Sequence, residues 1–193
     1  MSDTPIDIRI DRAAIARIKR DFLLMDGEVP VALSRAINRS VTTVQTEASK
    51  QVRKEYNLKA ARVKKNFSLR KASKNNLAAH WRSKGEPVGL LNYGARQNKK
   101  GVSVKVLKSA SRKTVKHAFI QLGRNKQKHV FRRELDSSGK MVPRYDIHRL
   151  TGPRVEDALS KDHVQKALQD KADTYLQTRL DAEANYILSK ARS

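Results

Sequence analysis

The sequence has no cysteine, which excludes disulfides and thiolate metal sites. Aromatic residues are only 5% of the chain and include a single tryptophan, Trp81. The apolar fraction of 38% lies below the roughly 45–50% of an ordinary globular chain. Such a chain buries less per residue than a typical enzyme of its size. It is therefore either partly extended or stabilised by partners. No run of about 18 apolar residues exists, so no membrane span is expected. The N-terminus opens on Ser2, Asp3, Thr4 and Asp7, with no apolar stretch behind a basic one. That is not the pattern of a secretory signal. The expected setting is the inside of a cell, or of a particle assembled there.

Catalytic sets are also missing. The five histidines are His80, His117, His129, His148 and His163. No two stand at i, i+4, and there is no HExxH, GxxxxGK[ST] or GxGxxG pattern. Asp146-x-His148 and Glu134-x-Asp136 are the nearest approaches to a metal or nuclease fragment. A metal-dependent nuclease needs two or three convergent carboxylates, and acids are what the centre of this chain has least of. No cofactor is implied.

What the centre does have is positive charge. Residues 50–149 carry 28 lysines and arginines against five acids, so they hold the whole net charge of +23, and the flanks cancel. Such a footprint fits contact with nucleic-acid phosphates, whose counterions are released on binding. It fits an acidic protein neighbour equally well. The clusters are Arg62, Lys64 and Lys65; Arg70, Lys71 and Lys74; Arg96, Lys99 and Lys100; Arg112, Lys113 and Lys116; Arg124, Lys126 and Lys128; and Arg132 and Arg133. A solvated face is the ordinary explanation of each one alone. Together they repel one another in a compact domain unless a partner relieves the charge. Trp81, Tyr93, Phe119 and Phe131 read as too scattered for a base-stacking platform. No base-reading module is recognisable, so any nucleic-acid contact is expected at the backbone, without sequence preference.

The pattern along the chain is helix, basic strand-rich centre, helix. Ile6, Ile8 and Ile10 alternate as a short strand, and Asp11 caps a helix that Asp26-Gly27 ends. Pro30 suits the first turn of the next helix. There Leu33, Ile37, Val41, Val44, Ala48 and Val52 form one apolar stripe. Asn57 is expected to end that helix and cap a basic one over Lys59–Asn66. Strands are expected at Leu77–Trp81, at Val102–Val106, at Val115–Leu122 and at His129–Glu134, the last two as an antiparallel hairpin about Gly123-Arg124-Asn125. Gln97–Gly101 reads as a basic loop, and Ser137-Ser138-Gly139 as a turn. Thr151-Gly152-Pro153 reads as the start of a helical region, interrupted near Ser160 or Asp162. A second stripe then runs through Val164, Leu168, Ala172, Tyr175, Leu176, Leu180, Ala184, Ile187 and Leu188. The expected class is α+β, with long N- and C-terminal helices packed on a central antiparallel sheet. Two stripes exceed what one small sheet covers. The second must pack beside the first or against another subunit.

Several segments in order resemble the phage minor tail protein Z family. They are Ala32-Leu-Ser-Arg-Ala-Ile-Asn-Arg39, Ala61-Arg-Val-Lys-Lys65, Ala118-Phe-Ile-Gln121 with Gly123-Arg124, His129-Val-Phe-Arg-Arg133, and Arg144-Tyr-Asp-Ile147 leading to Leu150-Thr-Gly-Pro153. The resemblance covers about Val31 to Leu159. The first 11 residues and the C-terminal helix depart from it. It implies a structural virion protein of the head-proximal tail or neck, not an enzyme, needed for tail completion, for head–tail joining and for placing the DNA end. It also implies a homo-oligomeric ring, commonly of six, against tail-tube and neck or connector proteins and near packaged double-stranded DNA. The protein would pass through the host cytoplasm during assembly, with no membrane role. The expected division is an N-terminal strand and helix arm (1–29), a tail-completion-like domain (30–160) and a C-terminal helix (161–193). Two readings from other classes stand beside this one: a free-standing, sequence-nonspecific nucleic-acid-binding protein, and a prophage nuclease using Asp146 or His148.

Overall fold

The computed structural model describes residues 29–133, 138 and 147–191. The expected N-terminal strand and Asp11-capped helix lie outside the described residues, as do Glu134, Asp136 and Asp146. The chain forms two compact units, each assembled from separate stretches: residues 1–49, 67–84 and 159–193 in the first, and 50–66 and 85–158 in the second. The class is α+β. Among the described residues the strands are spread over four small antiparallel sheets instead of one.

Helix α1 (Val29–Glu55) follows the sequence stripe closely. Leu33, Ile37, Val41, Val44, Ala48 and Val52 are all buried. Each aliphatic side chain larger than alanine, so withdrawn from water, contributes about 1.5–3 kcal/mol. Four hydroxyls on this helix are satisfied locally: Ser40, Thr42, Thr43 and Thr46 each donate to the carbonyl four residues back.

In the first unit, α1 up to residue 49 runs antiparallel to the C-terminal helix α4 (Asp162–Ala191). Arg39 meets Glu183 at 2.9 Å, and Glu47 meets Lys171 at 3.3 Å. Between them Val29, Leu33 and Ala36 pack with Leu180, flanked by Leu77 and Leu176. The two stripes therefore cover each other here. Glu183 lies within the second stripe and is buried, and its carboxylate is held by the Arg39 guanidinium. Strands β1 (Phe67–Arg70) and β2 (His80–Ser83) pair antiparallel, with Leu69 opposite Trp81. Trp81 is fully buried and meets Phe67 edge-on at 4.9 Å. Strand β1 was not expected, and β2 begins three residues later than the expected Leu77. Asn38 ties helix to sheet: its amide donates to the Ala72 carbonyl (2.9 Å), and its oxygen accepts from the Ala72 N–H (2.8 Å).

The second unit begins with the last turns of α1. Asn57 does not cap the next helix. Its N–H donates to Val106, while Lys108 donates back to Glu55 across a bridge between Tyr56 and Leu107. Helix α2 (Ala60–Lys65) instead has Lys59 at its cap position, with no side-chain cap bond. Strand β3 (Pro87–Gly89), a 3-10 turn (Leu90–Tyr93), β4 (Arg96–Asn98) and β5 (Gly101–Val104) follow. Part of the expected basic loop is thus a strand. The expected strand Val115–Leu122 is broken in two, β6 (Lys113–Lys116) and β7 (Ala118–Leu122), because His117 adopts φ +60°. Strand β8 (Lys128–Arg133) pairs with β7 as the expected hairpin, and β9 (Ile147–Arg149) lies on its other side.

Thr151-Gly152-Pro153 does not start a helix. It belongs to β10 (Thr151–Arg154), which pairs with β3. Tyr93 explains the difference. A Cβ on Gly152 would lie 2.6 Å from the Tyr93 ring, and the Tyr93 hydroxyl donates to the Pro153 carbonyl at 2.8 Å. Glycine and proline here are fitted to a buried tyrosine, not to a helix start. Helix α3 (Val155–Leu159) begins only afterwards, with Asp157 accepting from the Arg154 N–H. The expected break near Ser160–Asp162 is present, since α4 starts at Asp162.

Candidate functional site

The charge belongs mostly to the second unit. Its sequence holds 24 lysines and arginines against seven acids, a net +17 of the total +23. Of the basic clusters, only Arg70, Lys71 and Lys74 belong to the first unit, at and just beyond the exposed end of β1.

The remaining cations fall into two kinds. Some hold the fold. Arg112 donates to the Gly94 carbonyl at 2.7 Å and to Ser103 at 3.2 Å, tying the loop before β6 to the 3-10 turn and β5. Arg62 bonds Asn66, whose amide reaches the Glu86 carbonyl at 3.2 Å. These two are structural as well as charged. The others point to solvent. Lys64 and Lys65 lie exposed on α2; Lys99 and Lys100 form the β4–β5 turn. Lys113 and Lys116 lie exposed on β6, with Lys116 opposite Gly101. Residues 97–101 and 116–118 line an open hollow of about 550 Å³, and no acid is among them. Arg124, Lys126 and Lys128 are displayed by the β7–β8 hairpin. Its tip is stiffened by Gly123–Gln127 and Lys126–Gly123 backbone bonds and by Asn125, which accepts from the Gln127 N–H. Arg132 and Arg133 are exposed at the far end of β8.

Register brings together residues that looked scattered. Alternation along the β7–β8–β9 sheet sends Ala118, Ile120 and Val130 to one face, where Ala118 and Val130 are buried. The other face carries Phe119, Gln121, His129, Phe131, Arg133, Ile147 and Arg149. Phe119 stands directly opposite Phe131, with ring centroids 6.1 Å apart. The Arg133 guanidinium lies 5.9 Å from the Phe119 centroid, and His129 meets Phe131 edge-on at 5.9 Å. Both phenylalanines are half-buried, Arg133 and Arg149 are exposed, and Ile147 is 51% exposed. Desolvation, then the neighbouring Arg149 charge, lowers the His129 pKa below the usual histidine range, so at neutral pH the cations of this face are its arginines. This pairing was readable from the hairpin. If Leu122 and Lys128 close a loop from Gly123 to Gln127, Phe119 must face Phe131.

Among the described residues, no three histidine, aspartate or glutamate side chains are grouped to hold a metal, and no helix is long and apolar enough to cross a membrane.

Comparison with known proteins gives one match. The family model for the prophage minor tail protein Z (GPZ) matches residues 13–191. The match takes in α4, which the motif resemblance had left outside. Searches among curated proteins and among solved structures give no match. With nearly the whole chain covered, the protein belongs to the prophage minor tail protein Z family and is a structural protein of the phage tail, where its neighbours are other proteins of the virion.

Proposed function

We propose that the protein completes the head-proximal end of the tail, where it is needed for head–tail joining and for placing the DNA end. The observation that carries this reading is the family match across residues 13–191. The concentration of charge in the second unit supports it. A structural tail protein with one strongly basic unit suits a position beside packaged DNA or beside acidic tail-tube and connector subunits. In this reading the subunits close a ring of six, and the exposed lysines and arginines of the second unit are its partner contacts.

Deletion of the gene from an inducible prophage tests the reading. Electron micrographs of the lysate are expected to show filled heads and free tails that do not join, with joining restored by a plasmid copy. Normal joined particles from the deletion strain would overturn it. Mass photometry of the purified chain is expected to give a six-subunit species. A monomer that never adds to tails favours instead a free-standing nucleic-acid binder.

A further inference from the structure

We propose that the exposed face of the β7–β8–β9 sheet is a stacking platform for single-stranded nucleic acid, with Phe119 and Phe131 as the base-stacking rings and Arg133, Arg149 and the hairpin cations as phosphate contacts. The proposal rests on the reading that the basic unit meets nucleic acid, and it narrows the form of that nucleic acid.

Three observations carry it. The two rings are cross-strand neighbours 6.1 Å apart on one face, inclined at 33° to each other, so that two aromatic faces stand side by side. Flat aromatic surfaces take any unpaired base, because every base has a π-face. Arg133 already lies against the Phe119 ring, the arrangement by which a guanidinium extends a stacking surface while meeting a phosphate. Finally, β7, the hairpin tip, β8 and β9 contain no acid, while Arg133 and Arg149 share the face of the two rings and Arg124 and Lys126 stand at the hairpin tip. No side chain within these elements repels a polyanion.

The occupant is single-stranded because a duplex keeps its bases stacked inside and offers the rings nothing. A duplex would use the lysines and arginines and leave the two phenylalanines without a role. An acidic protein segment would likewise be satisfied by the cations alone.

Fluorescence anisotropy with the full-length chain tests the platform. The probes are a labelled 12-nucleotide thymidine single strand and a duplex of equal length, both at about 150 mM salt. The single strand is expected to bind at least tenfold tighter. Phe119→Leu and Phe131→Leu, which keep an apolar side chain but remove the ring, are each expected to weaken single-strand binding about tenfold and leave duplex binding unchanged. Phe131→Trp is expected to retain or improve it, and its folded state is checked by thermal melting. Equal affinity for the two probes overturns the platform while leaving a basic surface that meets DNA backbone. Leucine variants that bind the single strand like the parent overturn it as well. Absence of binding to either probe overturns the platform and turns the basic surface toward acidic virion proteins.

Discussion

Tyr93 shows how much of this chain rests on single side chains. It is fully buried, edge-on to Tyr56 at 6.4 Å, and its hydroxyl is bonded to the Pro153 carbonyl. Burial, more than the nearby Glu55 and Asp157 charges, pushes the Tyr56 pKa up to about 12. Burial raises that of Tyr93 further, with Tyr56 adding and Arg62 opposing. Both phenols hold their protons more strongly folded than unfolded. Their contribution to stability is therefore complete below the unfolded value of about 10 and is lost as pH rises through the folded values. The melting temperature is expected to fall steeply from pH 10 upward. Tyr93→Phe is expected to flatten that fall while costing about 1 kcal/mol near neutral pH, from the lost hydrogen bond. A steep fall unchanged in the phenylalanine variant would show that Tyr93 does not govern the alkaline limit. The Ala36-Ile37-Asn38-Arg39 string also has its explanation at this scale. Ala36 and Ile37 are core, Asn38 clasps the Ala72 backbone, and Arg39 holds the buried Glu183. Four adjacent residues meet three different requirements: core packing, a clasp on backbone and an ion pair.

Among the elements, the β5–β6 pair has the narrowest tolerance. Gly101 has φ +143°, and a Cβ there would lie 2.1 Å from the Val115 carbonyl oxygen. Gly101→Ala is expected to destabilise the protein by about 3 kcal/mol or more, since both backbone strain and a backbone clash must be relieved. It should also weaken the partner contacts proposed for Lys99, Lys100 and Lys116, which border the same turn. Chemical denaturation with circular dichroism measures the first effect. A loss under 1 kcal/mol would mean that the strands part easily at this point. What was legible in the sequence follows from how local each element is. The α1 stripe could be read because the apolar residues that define it recur within about one turn of each other. Strand β10 could not, because its partner β3 lies some 60 residues earlier and Gly152 is fitted to Tyr93. Strand β1 is only four residues long and follows directly on a basic helix. The charge was visible as composition. That Arg112 spends its charge on the Gly94 and Ser103 carbonyls depends on acceptors 18 and nine residues away and was not. The hairpin was found, but its pairing was not carried through to the two phenylalanines.

At the scale of the whole molecule, electrostatic self-repulsion opposes the compact state. With +17 assigned to one unit, the free protein is expected to gain stability from simple screening. Raising sodium chloride from about 20 to 300 mM should increase the melting temperature by several degrees, where about 2–4 °C corresponds to 1 kcal/mol for a chain of this size. A short polyanion should do the same at low salt and lose its effect at high salt. A melting temperature insensitive to both would mean that the cations are spaced widely enough not to matter. The two units also differ in how they are encoded. The chain passes from one to the other between residues 49 and 50, 66 and 67, 84 and 85, and 158 and 159. No single contiguous stretch of gene therefore specifies either unit. A genetic exchange that transfers one block of DNA delivers fragments of both. To inherit a new basic unit while keeping its own segment 67–84, a descendant must acquire two separate blocks. The interlaced chain path makes this protein a poor trading piece, so its partner surface is left to change one codon at a time.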